Sequence, residues 1–142
     1  MSSSTDMSNM LKQRPWLGQY PEGVPADIDE TQYESLVQLL EESFKKNAKS
    51  TAYSFMGKDT TFAQTDSLSV AFAAYLQGLG LEKGDRVALM MPNMPQYPIA
   101  VAAILRAGLV VLNVNPLYTA RELEHQLKDS GAKAIFIIEN FA

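Results

Sequence analysis

His125 is the only histidine of the chain, and it sits among Glu122, Glu124 and Asp129. On a helix that spacing brings an imidazole and carboxylates near one another, which is the raw material of a divalent-metal site. Without a second histidine or any cysteine the ligand set is thin, and a solvated histidine explains the same residues. A second set of polar residues, Asn93, Asn113 and Asn115, follows short apolar runs where strands are expected to end. Ligands of open α/β sheets bind at the carboxyl ends of strands, so Pro92-Asn93, Asn113 to Pro116 and Glu139-Asn140 are where a substrate would meet donors. Asn beside Pro is also ordinary turn chemistry. The adjacent Glu41 and Glu42 point in different directions on a helix and form no acid–base pair. Met90, Met91 and Met94 read as gap-filling core residues.

Neither Gly-x-x-x-x-Gly-Lys-Ser/Thr nor Gly-x-Gly-x-x-Gly occurs. Gly78 and Gly80 precede a strand, the wrong order for holding a phosphate at a helix N-terminus, and read as cap and turn residues. No residue is therefore assigned as catalytic, cofactor-binding or metal-ligating. The absence of cysteine excludes disulfides and thiolate chemistry. The net charge of -4 and the 12 scattered basic residues supply no footprint for nucleic acid.

The elements that must position these residues are legible as periodicities. Residues 1–30 read as an extended or disordered leader, Ser-rich from Met1 to Asn9 and then held open by Pro15, Pro21 and Pro25, with Trp16 and Tyr20 as anchors. No basic region precedes an apolar run there, so it is not a secretory signal. Residues 31–142 read as one α/β portion. A helix is expected over Gln32–Lys46, opened by a Thr31/Glu34 capping box, with Tyr33, Leu36, Val37, Leu40 and Phe44 on one face. A hairpin follows, Ala52–Phe55 and Thr60–Phe62, turning through Met56 to Asp59. The next helix spans Phe62–Gln77, with a Thr61/Gln64 capping box and Leu68, Phe72, Tyr75, Leu76 and Leu79 on its expected buried side.

Strand and helix then alternate: a strand over Arg86–Met91, a helix over Gln96–Ala107, a strand over Leu109–Val114, a helix over Thr119–Ser130 with a Thr119/Glu122 capping box, and a strand over Ala134–Ile138. That order predicts a βαβαβ unit with parallel strands after the N-terminal helix and hairpin. Between Val87 and Tyr118 the only charged residue is Arg106. Pro92, Pro95 and Pro98 interrupt that run well short of the roughly 20 apolar residues of a membrane span.

Gly80 to Asn93, together with Phe72 to Gln77, Gln96-Tyr97-Pro98 and Ile104 to Leu127, closely resembles the amino-terminal region of bacterial long-chain fatty-acid–CoA ligases, members of the adenylate-forming, AMP-binding superfamily. The resemblance runs from about Trp16 to the end. It implies a parent enzyme that activates a fatty acid with Mg-ATP to an acyl-adenylate and transfers the acyl group to coenzyme A. By the same resemblance the phosphate loop, the acidic nucleotide motif and the catalytic lysine of a mobile C-terminal domain lie outside residues 1–142. The chain alone is thus expected to be inactive, an incomplete part of a larger domain that binds no cofactor itself.

Its implied partners are the remainder of the parent enzyme and, for the parent, long-chain fatty acid, ATP, Mg and coenzyme A. The implied location is the cytoplasm, with the parent peripheral to the inner membrane. An unfinished sheet predicts self-association through exposed apolar surface. The family pattern Thr-Phe-x-Glu/Gln-Leu departs here at Thr65, which removes a hydrophobic anchor from the second helix. A stand-alone small-molecule-binding module, or an interaction module without catalysis, is the alternative that the residues leave open.

Overall fold

The computed structural model describes residues 13–141; the Ser-rich stretch Met1 to Asn9 lies outside the described residues. The chain divides into two compact units, residues 1–32 and 33–142. In the described part of the first unit, Pro15–Gln19 form a 3-10 turn rather than the fully extended strap expected from the prolines. Proline at the first position of that turn presets its φ. Arg14 pairs with Asp27 at 2.8 Å, which holds the guanidinium above and the carboxyl below their ordinary pKa values.

The second unit begins with α1 (Leu36–Lys46), four residues later than the sequence suggests. The Thr31/Glu34 box does not form, because Asp29 is a nearer acceptor. Its carboxylate takes both the Thr31 N–H (2.9 Å) and the Thr31 hydroxyl (2.6 Å). Ser35 caps the helix instead, accepting from the Gln38 N–H, while the Gln38 side chain accepts from the Glu34 N–H. The hairpin of β1 (Thr51–Phe55) and β2 (Lys58–Thr61) is tighter than expected. Its turn is the two residues Met56 and Gly57, both at positive φ (48° and 76°), as a primed turn requires. Lys58 and Asp59 therefore belong to β2, and Phe62 starts the next helix.

That helix, α2 (Phe62–Gln77), has the expected bounds and capping box and buries Leu76 and part of Phe72 as expected, but its buried face is turned away from Leu68, Tyr75 and Leu79. Thr65, Ser69, Ala73 and Leu76 are buried, whereas Leu68, Tyr75 and Leu79 are exposed by 51%, 57% and 45%. The small side chains let α2 lie close against α3 (Gln96–Arg106), which offers Ala100, Ala103 and Ile104. Thr65, where the family pattern has leucine, is fully buried and donates its hydroxyl to the Thr61 carbonyl at 3.0 Å. The lost anchor is thus replaced by a satisfied hydroxyl.

The three-stranded parallel sheet runs in the order β4 (Val110–Asn113), β3 (Arg86–Met90), β5 (Ala134–Ile137). Val87 pairs with Val111 on one side and with Ala134 on the other, and Val87, Ala88 and Leu89 are completely buried. Alternation sends Val87 and Leu89 to the face covered by α2 and α3. Ala88 and Met90 face Leu123 and Leu127 of α4 (Ala120–Ser130). The methionine cluster is thereby split, with Met90 on one face and Met91 on the other. The α4 helix ends at Gly131 (φ +62°), where a Cβ would lie 2.9 Å from an Arg86 guanidinium nitrogen. Arg86 uses that approach to donate to the carbonyls of Ser130 (2.8 Å) and Gly131 (3.2 Å).

One buried cation joins three helices. The Arg106 side chain is only 9% exposed. It donates to Ser69 Oγ at 2.7 Å and to the Asp66 carbonyl at 3.1 Å, and ion-pairs with the Asp66 carboxylate at 2.5 Å. Its Nε lies 3.3 Å from Glu41 Oε1, close enough for an ion pair but outside hydrogen-bond alignment. The guanidinium also sits 5.5 Å from the centre of the Phe44 ring. Arg106→Lys is expected to lower the unfolding free energy by about 2 kcal/mol, because an ammonium cannot serve all of these partners at once. Ser69→Ala is expected to lower it by about 1 kcal/mol. Urea denaturation of the two single variants and the double variant checks both, with a non-additive double variant as the signature of one shared network.

Candidate functional site

The carboxyl ends of β3, β4 and β5 carry the polar residues singled out above. Asn113, the last residue of β4, is held from two directions. The Tyr97 hydroxyl donates to its Oδ1 at 2.5 Å, and the Gln126 amide donates to its carbonyl at 3.0 Å. Tyr97 comes from the first turn of α3 and Gln126 from α4, so a helix from each face of the sheet reaches this strand end. Asn115 accepts from the Leu117 N–H at 3.0 Å, closing an Asx turn that leads into α4. The structure thus commits the side chains of Asn113 and Asn115 to their own surroundings. Asn93 does not join them and instead lines a cleft.

Two clefts open at this end of the unit. The first, 470 Å³, lies between β1 (Ala52 to Phe55) and the β3–α3 connection, with Asn93, Met94, Pro95, Tyr97 and Pro98 as its other wall. Burial raises the Tyr53 phenol above its ordinary pKa. The second, 580 Å³, is bounded by Leu68 and Phe72 of α2, Ile99 of α3, and Phe136 to Ile138 at the end of β5. It is mostly apolar, with Thr60 and Gln96 as its hydrogen-bonding side chains among the described residues. Sequence reasoning missed this groove because it placed Leu68 in the core.

His125 is exposed and stands apart from both clefts' linings. Glu122 is engaged in the α4 capping box, accepting from the Thr119 N–H and hydroxyl, both at 2.8 Å. Those two bonds hold its carboxyl below the usual glutamate range. Glu124 pairs with Lys128 at 2.5 Å. Among the described residues no group of three or more His, Asp or Glu side chains is placed to hold a metal ion. Nor, among them, is any helix long and apolar enough to cross a membrane. Glu41 and Glu42 also part company, Glu41 toward Arg106 and Glu42 toward Gln38.

The profile of the family described as "AMP-binding enzyme" matches residues 40–141. The chain belongs to the AMP-binding enzyme family. It is 60% identical over 128 residues to a long-chain-fatty-acid–CoA ligase of Salmonella typhimurium, covering 89% of this chain and 23% of that protein. A ligase of the same name from Bacillus subtilis is 41% identical over 130 residues, covering 92% of the chain and again 23% of the relative. The chain therefore spans about a quarter of the length of the curated relatives it matches. Among solved structures, a benzoate CoA ligase from Burkholderia xenovorans superposes with a TM-score of 0.70 at 27% identity, over 74% of this chain and 22% of that one. The N-terminal subdomain of NpsA from Klebsiella oxytoca gives 0.69 at 25%, over 72% and 26%. These neighbours agree with the α/β architecture and parallel sheet of this member of the AMP-binding family.

The capping carboxylate gives a pH prediction. A carboxyl whose folded pKa is lowered stabilises the fold above its unfolded pKa, and that contribution is lost as the pH falls through the folded value. Carboxyl NMR should therefore show Glu122 titrating below free glutamate, on the acid side of the ordinary carboxylate window. Thr119→Val removes the hydroxyl bond but keeps the backbone N–H, the larger cause, so it should move Glu122 only part of the way back toward the ordinary range. Losing the N-cap hydroxyl should cost about 1 kcal/mol.

Proposed function

We propose that this chain is the N-terminal portion of an ATP-dependent long-chain fatty-acid–CoA ligase, and that residues 1–142 support its fold without performing its chemistry. The observation that supports this best is the identity of 60% over 128 residues to a ligase of that name. In the proposed parent reaction, a fatty-acid carboxylate joins the adenylyl group of ATP with loss of pyrophosphate. The thiol of coenzyme A then takes the acyl group and AMP departs. The first step needs cationic and backbone donors around a triphosphate, together with Mg. The donor set of residues 13–141 does not fit that requirement. Glu122 caps a helix, Glu124 is paired with Lys128, and Asn113 and Asn115 hold turns and strand ends. No step through ATP or Mg is therefore assigned to these residues.

What the chain contributes under this reading is position. Arg106 fixes α1, α2 and α3 on one face of the sheet, and α4 closes the other. The strand ends at Asn93 and Asn113 are thereby presented at fixed spacing to the rest of the enzyme. The same reading, which rests on the resemblance to the bacterial ligases, has the parent working in the cytoplasm, peripheral to the inner membrane.

The test is an exchange. A chimera in which this chain replaces the matching stretch of the Salmonella ligase should form acyl-CoA from a long-chain fatty acid, ATP and coenzyme A. The isolated 142-residue chain should form none. Acyl-CoA production by the isolated chain, or a folded but inactive chimera, would overturn the proposal.

A further inference from the structure

We infer that the tip of the β1–β2 hairpin is a lipid contact, a wedge that seats Met56 and Phe55 among the headgroups of an anionic bilayer. The inference names a contact for the peripheral location proposed above and rests on that reading. Met56 occupies the first position of the two-residue turn with φ +48° and is 89% exposed. Asn, Asp or Gly leads at that position, because each tolerates a left-handed backbone. Methionine there strains the main chain and leaves an apolar side chain in water. At such exposure the described residues give it no packing in return. Strain retained under an exposed apolar side chain points to a use at the surface.

The hairpin register sorts the tip into two faces. Phe55 pairs with Lys58, and Ser54 with Asp59. Phe55, itself 39% exposed, therefore shares its face with the Lys58 ammonium. On the opposite face the Asp59 carboxylate accepts from the Ser54 hydroxyl at 2.5 Å. The one acidic side chain between Ser54 and Asp59 is thus turned away from the apolar apex and engaged. An apolar apex with a cation at its shoulder matches acyl chains beneath anionic headgroups. A protein partner fits less well, since a specific interface takes about 800 Å² from each side. Two side chains at a hairpin tip offer far less, whereas a bilayer surrounds even a small wedge.

The experiment mixes the whole 142-residue chain with vesicles of phosphatidylethanolamine and phosphatidylglycerol, or of phosphatidylcholine alone, and reads the bound fraction by flotation. Preferential binding to the anionic vesicles is the expected result. Met56→Asn should weaken that binding by roughly fivefold or more while raising the urea midpoint, since asparagine accepts the left-handed turn. Movement of the two readouts in opposite directions separates a lost contact from a lost fold. Lys58→Gln should weaken binding by about fivefold at low salt and remove the preference for anionic lipid. Leu117→Asn, at a residue 82% exposed and outside the hairpin, should leave it unchanged. Met56→Asn should also weaken vesicle binding of the chimera described above, where the rest of the ligase is present.

Absence of binding by the unaltered chain, or binding indifferent to Met56→Asn or to Lys58→Gln, overturns the tip assignment. So does a chimera in which Met56→Asn has no effect, the result expected if the remainder of the enzyme or another protein covers the tip. Acyl-CoA formation by the chimera judges the ligase reading independently. An active chimera with any of those outcomes sinks the lipid contact and leaves the reading standing, whereas a folded but inactive chimera sinks the reading itself.

Discussion

The second unit is organised around the Arg106 guanidinium. A cation with so little exposure is tolerable because both terminal nitrogens are met: an ion-paired carboxylate, a hydroxyl, a main-chain carbonyl and an aromatic face surround it. These partners come from α1 and α2 while Arg106 itself belongs to α3, so satisfying the charge and docking the helices are one event. The requirement also decides which side of α2 turns inward. Ser69 and the Asp66 carbonyl must face α3, and Thr65, Ala73 and Leu76, one to two turns away along the same stripe, follow them into the interior. The exposure of Leu68 and Tyr75 is the geometric remainder of that choice.

This constraint explains what could and could not be read from the sequence. Features with a local cause were legible. The capping boxes at Thr61 and Thr119, the ends of α2 and the alternation of strand and helix depend on residues a few positions apart. The start of α1 was misread because Asp29 competes for Thr31, and two acceptors at similar spacing cannot be ranked without coordinates. The hairpin turn was misread because Met56 adopts a left-handed backbone that methionine seldom takes. The buried face of α2 was misread for a different reason. Hydrophobic periodicity weighs Leu and Tyr above Ser and Thr, but a helix docked through a buried arginine prefers the smaller, polar residues.

At the strand ends the same division holds. Their location followed from topology alone, since alternating strands and helices put three carboxyl ends together. The capture of Asn113 by Tyr97 and Gln126 did not, because it joins residues from three elements that only the folded sheet brings together. Membership of the AMP-binding family was legible for a third reason: a long contiguous match carries more information than any short motif. It identifies the family independently of any single side chain.

The strand order has a consequence for how the chain is made. In sequence β3 is the earliest strand of its sheet, yet in space it is the middle one. Its neighbours β4 and β5, and the helices α3 and α4 that cover it, are all translated later. At roughly 5–20 residues per second, Val87, Ala88 and Leu89 wait without either flanking strand until Asn113 is added, and keep one open edge for further seconds until Ile137 follows. An uncharged apolar stretch with both edges open is what nascent-chain chaperones bind and what aggregates when they are scarce. The segment most hidden in the finished fold is thus the one that synthesis leaves waiting longest.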